Sequence, residues 1–432
     1  MVIPFMVFAC VAMGDAAWAP AVSGGQPGVM ALQVQGRPSG GPVHLEPWSP
    51  AAVDVRVEVH GREGSRPARL PEVQRWRGRA DDREVLVSVD ATGVRGFTLQ
   101  NGTLRRITME GDTLVEHPTV VWAKSSLPCG GSPAPAPFES EASKDADRAA
   151  GACRVLRVAF DSDWPFTDAL FAGDADLSAA YVLELAAAVS VIYAESLDMT
   201  LEVAYVRTWS DEASCPYDPS EQSDTMLHQL QAEWEAAAPE PDRHVAHLLS
   251  GSNEPESAGQ AWVSAVCGSS GYGFSSQLDG GFADPVVDHV WNVWDLFVVA
   301  HEIGHNLGAD HTHEMVPPID ECGSGDCTNA WGGTIMSYCH TCLPDGMSNI
   351  VLVFHERVRA DIDAFLNAVD TASCPLGTAL PDMDGDGDVD LVDLTRLLAE
   401  FGACGGCACD GDLDQSGEVD VRDLLRMLEQ WG

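Results

Sequence analysis

Apolar and polar residues alternate in short runs over residues 50–124, as in VDVRVEVHG, REVLVSVDATG and GFTLQNGTLRRITME. A period of two residues is typical of β-strands that bury one face, and the Gly, Asp and Asn residues between the runs favour tight turns. We therefore predict a small β-rich domain of antiparallel strands within residues 20–128. A Pro-, Ser- and acid-rich linker follows at residues 129–150.

Strand-like and helix-like runs alternate over residues 151–375. CRVLRVAFDSD, MTLEVAYVRTW and HVAHLLSG are strand-like, whereas LSAAYVLELAAAVSVIYAESL and MLHQLQAEWEAA have the helical period. DHVWNVWDLFVVAHEIGHNLG predicts a long helix that ends at Gly308, a residue suited to the left-handed backbone after a helix. This alternation predicts an α/β domain.

Residues 381–432 contain two copies of one pattern, an acidic loop followed by an amphipathic helix, which start 30 residues apart. The oxygen-bearing side chains at loop positions 1, 3, 5, 9 and 12 are Asp382, Asp384, Asp386, Asp390 and Asp393 in the first copy, and Asp412, Asp414, Ser416, Asp420 and Asp423 in the second. Both loops have the glycine at position 6 that a calcium-binding turn requires. The pattern predicts two bound Ca²⁺ ions, and the alternative is an acidic, solvated tail.

Composition restricts the partners. The net charge is −42, from 66 acidic and 24 basic residues. A polyanion binds to a basic surface, so this charge argues against nucleic acid or an anionic membrane as a partner. The hydrophobic content of 45% fits a globular protein, and 432 residues are too many for one compact core.

The N-terminus indicates export. Residues 1–19 form an apolar run that ends in small residues, which is typical of a signal peptide, although no positive charge precedes the run. The alternative is a frayed apolar terminus. No later run reaches the length of a bilayer-spanning helix, so we predict no transmembrane segment. Removal of Cys10 would leave an even set of the 13 cysteines, as expected for disulfides in a secreted or extracellular protein.

The segment HEIGHNLGADH carries the candidate chemistry. His301 and His305 are four residues apart on the predicted helix, so both imidazoles lie on one face and suit one zinc ion. Gly308 allows the chain to turn, and His311 then returns as a third ligand, which leaves one coordination position for water. Glu302 is placed to act as general base on that water.

HEIGHNLGADH matches the HExxHxxGxxH motif of the metzincin metalloproteases, and GTIMSYC resembles their Met-turn, with Met336 as its methionine. AWVSAVCGSSG resembles the edge strand that binds extended peptides in reprolysin-like (adamalysin-type) members. The resemblance covers residues 151–375. It implies a mixed twisted sheet with a long active-site helix, one catalytic Zn²⁺, and hydrolysis of protein or peptide substrates.

Two positions depart from the reprolysin pattern. Thr312 follows the third histidine where reprolysins usually have Asp, and Tyr338 stands two residues after Met336, as in astacins and serralysins. The resemblance implies that Tyr338 is either a fifth zinc ligand or an oxyanion donor, and the alternative is a packing role.

Four cysteines of this region, Cys322, Cys327, Cys339 and Cys342, have spacings that suit either a second zinc site or two disulfides, and an oxidising compartment favours the disulfides. Cys215, Cys267 and Cys374 are candidates to brace the rest of the domain.

The β-rich domain weakly resembles the propeptides of reprolysin-like enzymes. Cys129, in LPCGGS, would then be a cysteine switch whose thiolate occupies the open zinc position, unless it forms an ordinary disulfide.

Residues 381–432 resemble a dockerin module, although the CGGCAC insertion is unusual. This resemblance implies a cohesin-like scaffold or cell-surface partner, bound through Leu391, Val392, Val421 and Arg422.

These observations together predict a secreted zinc endopeptidase with a calcium-binding anchoring module. The alternatives are a non-enzymatic adhesion or scaffold protein that retains the fold, and a protease restricted to its own leader or to one partner.

Overall fold

The computed structural model describes residues 29–34, 42–80, 83–91, 93–110, 113–117, 130–132, 154–236, 243–283, 293–369, 383, 389–403, 411–413 and 418–431. The predicted signal peptide and several predicted site residues lie outside these ranges, namely Cys129, Asp382, Asp384, Asp386, Asp414 and Ser416. The predictions for them remain predictions.

The N-terminal strands form a closed barrel in the order β1-β2-β5-β6-β7-β8-β9. Its strands are β1 (Val29–Val34), β2 (Pro42–Pro47), β5 (Gln74–Ala80), β6 (Arg83–Asp90), β7 (Gly93–Gln100), β8 (Thr103–Glu110) and β9 (Thr113–Glu116). Neighbours are antiparallel except β1 and β9, which close the barrel in parallel. Asn101 and Gly102 form the turn between β7 and β8 with φ of 48° and 70°, as expected for a two-residue hairpin. The predicted antiparallel β-strands are confirmed.

A second sheet has the strand order β10-β14-β15-β13-β11-β12-β3-β4. Its strands are β3 (Ala51–Gly61), β4 (Gly64–Pro67), β10 (Gly130–Ser132), β11 (Arg154–Ser162), β12 (Met199–Trp209), β13 (Val245–Leu249), β14 (Gly259–Trp262) and β15 (Tyr272–Ser275). β14 is antiparallel to β15, whereas β15, β13, β11, β12 and β3 are mutually parallel. Every residue of β13 is buried, which explains why four of its five residues are apolar.

The second sheet includes strands on both sides of the predicted linker and one strand, β10, within it. β3 pairs in parallel with β12, and β10 pairs in parallel with β14. The N-terminal segment and residues 154–275 therefore share one hydrogen-bonded sheet, which the sequence analysis did not anticipate. The strands predicted around residue 155, at Met199 and at Val245 are confirmed as β11, β12 and β13.

The described helices are α1 (Trp164–Phe171), α2 (Ala175–Leu197), α3 (Ser223–Ala236), α4 (Trp294–Asn306), α5 (Glu356–Ala368), α6 (Leu391–Ala399) and α7 (Val421–Glu429). By length and composition α2 could cross a membrane, contrary to the expectation that no run would reach this length. The most apolar stretch of α2 is 89% buried inside the protein, so burial in the core accounts for the apolar composition of this helix.

α4 is the predicted active-site helix, and all of its residues are buried. The structure confirms that the helix ends just before Gly308, which has a φ of 95°. The described helix begins at Trp294, and the earlier part of the predicted helix, residues 288–292, lies outside the described residues. Tyr193 of α2 donates a hydrogen bond of 2.9 Å to the carbonyl of Ala300, which ties α4 to the neighbouring core helix.

The two C-terminal copies fold alike. Asp390 and Asp420 cap the N-termini of α6 and α7, each in a capping box with the aspartate three residues later, Asp393 or Asp423. Short strands β16 (Gly402–Ala403) and β17 (Glu418–Val419) pair between the two helices. The predicted helix after each acidic loop is confirmed.

Candidate metal centre and active site

Three histidines converge at the C-terminal end of α4. The ring centroids of His301 and His305 lie 4.9 Å apart, and those of His311 lie 5.3 Å from His301 and 4.6 Å from His305. One potential ligand atom from each residue lies within 4.8 Å of the other two. Helical spacing positions the first two rings, and the turn at Gly308 brings back the third.

The contacts of the rings fix which nitrogen faces the centre. Nδ1 of His301 donates to the carbonyl of Ile335 at 2.6 Å, and Nδ1 of His305 donates to the carbonyl of Ala309 at 2.7 Å. Because a carbonyl only accepts, these contacts place the proton on Nδ1 and the lone pair on Nε2. Nδ1 of His311 lies 2.9 Å from Oε2 of Glu314.

The inward nitrogens suit a cation. Nε2 of His301 is buried and has no hydrogen-bond partner among the described residues, and Nε2 of His305 lies 3.1 Å from Nε2 of His311. Two lone pairs at that distance repel each other unless a cation or a proton lies between them. Three imidazole nitrogens are also a ligand set that zinc favours, so the residues present fit this metal.

Burial keeps two of the rings in the form that binds a metal. Burial, with a smaller contribution from the neighbouring histidines, lowers the pKa of His305 to about 3 and that of His301 well below 6.5. Both imidazoles are therefore neutral at neutral pH, as metal coordination requires. The hydrogen bond with His311 lowers the pKa of Glu314 to about 2, so its carboxylate is ionised.

Glu302 is fully buried next to the histidines and lies against the backbone of β14. A Cβ at Gly259 would lie 2.5 Å from Oε1 and 2.6 Å from Cγ of Glu302, closer than atoms can approach. The missing side chain at position 259 thus makes room for the carboxylate. Glu302 is held between the histidine cluster and the strand of the sheet that carries Gly259.

Met336 and Tyr338 lie close to the histidines. Met336 is buried, and its Sδ would lie 3.0 Å from a Cβ at Gly304, between the two helical histidines. The ring of Tyr338 lies 4.6 Å from that of His311 and 6.4 Å from that of His301. Tyr338 is thus adjacent to the centre, and the geometry is compatible with each role anticipated for it.

Two disulfides brace the loops beside the centre. Cys322 pairs with Cys339, and Cys327 pairs with Cys342. The disulfide prediction is confirmed, and these four residues do not form a second zinc site. The expectation that Cys215 forms a disulfide is wrong, because its thiol is free and half-buried, whereas Cys267 is disulfide-bonded.

Thr312, the departure from the reprolysin pattern, is fully buried. Its hydroxyl donates to Oδ2 of Asp320 at 2.6 Å, and its amide donates to the carbonyl of Met336 at 3.1 Å. Thr312 thus connects the loop that follows His311 to the segment around Met336.

The edge of the sheet next to Glu302 is covered by another part of the chain. Gly130, Gly131 and Ser132 of β10 pair in parallel with Gln260, Ala261 and Trp262 of β14. This is the strand for which the resemblance predicts binding of an extended substrate. The residues immediately after Cys129 therefore occupy the backbone hydrogen-bonding groups of β14 at that edge.

Residues 152–351 match the Reprolysin_5 model of Metallo-peptidase family M12. The matched segment includes the three histidines, Glu302, Glu314, Met336 and Tyr338. Metallopeptidases of family M12 use zinc, and the match supports the interpretation of this segment as a metalloprotease domain.

Two solved structures are similar to parts of the chain. A chaperone–substrate complex matches with 12% identity and a TM-score of 0.27, over 51% of this chain and 28% of that one. Metalloproteinase-II from Bacteroides fragilis matches with 12% identity and a TM-score of 0.33, over 66% of this chain and 81% of that one. A comparison with curated proteins found no match.

The predicted calcium residues are described only in part. Asp393 accepts hydrogen bonds of 2.7 Å from the amides of Met383 and Asp390, and Asp423 accepts one of 2.7 Å from the amide of Asp420. Asp412 is buried. The described aspartates therefore act as helix caps and loop anchors, and calcium binding remains a prediction.

Sequence reasoning missed Glu314 and Gly259. The signal for Glu314 was an acidic residue three positions after the third histidine, which is close enough for contact within a turn. The signal for Gly259 was a glycine two residues before the edge-strand pattern, since a glycine in a strand often marks a close approach of the backbone to another group.

Proposed function

We propose that this chain is a zinc-dependent endopeptidase. One observation carries the proposal: three imidazole nitrogens within 4.8 Å of one another lie beside Glu302, a fully buried glutamate of α4. His301, His305 and His311 would hold the ion. The match of residues 152–351 to Metallo-peptidase family M12 also supports this function.

Each residue of the site has a separate role in the reaction. Zinc, when bound, would act as a Lewis acid on the peptide carbonyl and make water a better nucleophile at neutral pH. Glu302 takes the proton of the attacking water and passes it to the leaving amine. The backbone of β14 aligns an extended peptide, and side chains beside it set selectivity. The hydroxyl of Tyr338 donates to the developing oxyanion.

The test is hydrolysis of casein by the processed protein and by the Glu302→Gln variant. Removing the general base should lower kcat by about 10²–10⁴-fold. Zinc content should be unchanged because Glu302 is not among the proposed ligands. Glu254→Gln, at an exposed glutamate before β14, is the matched control. Undiminished hydrolysis by Glu302→Gln would contradict the mechanism, and a wild type that cleaves nothing would favour the scaffold alternative.

We also propose that the unprocessed chain is latent. The parallel pairing of β10 with β14 supports this, because a peptide substrate would need the same edge. Cys129, directly before β10, is proposed as the group that reaches the metal. Cleavage within residues 129–150 would release the edge. Alkylation of Cys129 with a thiol reagent in the unprocessed chain, followed by appearance of activity, is the expected result, and a disulfide at Cys129 would refute the switch.

The C-terminal module is proposed to bind two calcium ions and to anchor a secreted protease to a cohesin-like partner. The equivalent positions Leu391 and Val421, at the start of α6 and α7, are 64% and 58% exposed. Val392 and Arg422 are exposed beside them. Apolar side chains held in solvent at matching positions suit a protein partner. Calcium-dependent binding of the full chain to purified cohesin modules tests this anchoring, and its absence from a broad set of modules would contradict it.

A further inference from the structure

The three candidate ligands are not supported in the same way. The Nδ1 atoms of His301 and His305 donate to neutral backbone carbonyls, those of Ile335 and Ala309. Nδ1 of His311 instead lies 2.9 Å from a carboxylate oxygen of Glu314. The ring of the third candidate ligand therefore contacts a charged acceptor, whereas the rings of the first two donate to uncharged carbonyl groups.

His311 is also the ligand with the least support from secondary structure. His301 and His305 lie on α4, which fixes their backbone, whereas His311 follows the turn at Gly308 and belongs to no helix or strand. The turn is closed locally, because the amide of Glu314 donates to the carbonyl of His311 at 3.0 Å. That turn brings the Glu314 side chain back onto the ring of His311.

We infer that Glu314 is a positioning residue that orients His311 for the metal, an inference that rests on the proposed zinc site. The carboxylate holds the proton on Nδ1, which turns the lone pair of Nε2 toward the centre. It also makes the imidazole a stronger donor to a cation, since a hydrogen bond from Nδ1–H to a carboxylate increases ligand basicity. Glu314 does not itself reach the reacting atoms.

The exposure of Glu314 limits the size of the effect. Its side chain is 57% exposed, whereas that of His311 is 5% exposed, so solvent screens the charge from one side. Two rings pack against His311 independently, those of His313 at 5.3 Å and Tyr338 at 4.6 Å. Loss of Glu314 should therefore weaken zinc binding without unfolding the loop.

The experiment measures the zinc dissociation constant of the full chain by competition with a chelating dye. Glu314→Ala should raise this constant by about 10–100-fold, and Glu314→Gln, which keeps an uncharged acceptor, should raise it less. Glu321→Ala, at an exposed glutamate of the same loop, is the matched control and should leave it unchanged. The thermal midpoint of the zinc-free protein should not differ among the variants.

Two results would overturn the inference. The first is a Glu314→Ala variant that binds zinc as tightly as wild type. The second is a loss of zinc affinity that tracks a lower thermal midpoint of the zinc-free protein, since that would indicate a structural role. Failure of the wild-type chain to bind zinc would instead refute the proposed function. In processed enzyme saturated with zinc, the KM of Glu314→Ala should equal that of wild type.

Discussion

Replacing Gly259 by alanine tests whether catalysis depends on the position of the Glu302 carboxylate. That position is available only because residue 259 of β14 has no side chain. A Cβ at position 259 would lie 2.5 Å from Oε1, 2.6 Å from Cγ and 2.7 Å from Cδ of Glu302. Ordinary contacts begin at 3.4 Å, so Glu302 and the strand must separate by roughly 0.9 Å. The methyl group meets the end of the side chain that is proposed to carry the proton.

Neither partner can move away freely. Glu302 is fully buried, and Gly259 is held by pairing with Ser275 and by a hydrogen bond of 3.0 Å from the hydroxyl of Ser257 to its carbonyl. The carboxylate must therefore tilt within the site. A misplacement of about 1 Å costs on the order of 10²-fold in rate, equivalent to about 2.7 kcal/mol of transition-state stabilisation. We expect a loss of this size in kcat, with zinc content unchanged.

The assay compares kcat and zinc content for processed wild type, Gly259→Ala, Glu302→Gln and the double variant. If Gly259 acts through Glu302, adding Gly259→Ala to Glu302→Gln should cause little further loss. Gly332→Ala is the control, because Gly332 is exposed and a Cβ there would meet nothing within 4 Å. Wild-type kcat in Gly259→Ala would refute the reasoning, as would fully additive losses in the double variant.

Three further predictions address other parts of the molecule. Tyr338→Phe should lower kcat by about 10²-fold with little change in KM if the hydroxyl stabilises the oxyanion, and an unchanged kcat would leave the ring a packing role. Burial raises the pKa of Asp163 from 3.8 to about 6, so the protonated form is favoured in the folded state, and the stability that this group contributes is lost as pH rises from about 4 to 6. The free energy of unfolding of wild type, measured with urea, should fall by up to about 3 kcal/mol relative to that of Asp163→Asn over this pH range. A difference between the two proteins that does not depend on pH would contradict the pKa shift. Asp412→Ala should reduce calorimetrically measured Ca²⁺ binding from two ions to one, whereas the exposed control Glu429→Gln should keep both, and two ions in Asp412→Ala would contradict the second loop.

The local part of the candidate site could be predicted from sequence. His301, Glu302 and His305 belong to one helix, so their spacing determines which face they share. Gly308 predicted the end of the helix and the return of His311, because its backbone conformation favours glycine. These inferences need only the geometry of a single turn.

Contacts between distant segments could not be predicted in this way. The pairing of β3 with β12 and of β10 with β14 joins residues far apart in sequence, and an alternating pattern does not say which strand edge it meets. The disulfide pairing likewise depended on tertiary structure, since the spacing of the cysteines allowed several connections. The role of Gly259 could not be predicted either, because it depends on the side chain of Glu302, which belongs to a helix that packs against this strand.

The central claim is that three imidazoles share one zinc ion. X-ray absorption at the zinc edge of the processed protein, which lacks Cys129, tests it most directly, with the ion content measured on the same sample. We expect a single zinc ion with nitrogen and oxygen neighbours, including the three imidazoles of His301, His305 and His311, and loss of this signal in His305→Ala. Sulfur ligands, fewer than three imidazoles, or an unchanged spectrum in His305→Ala would contradict it.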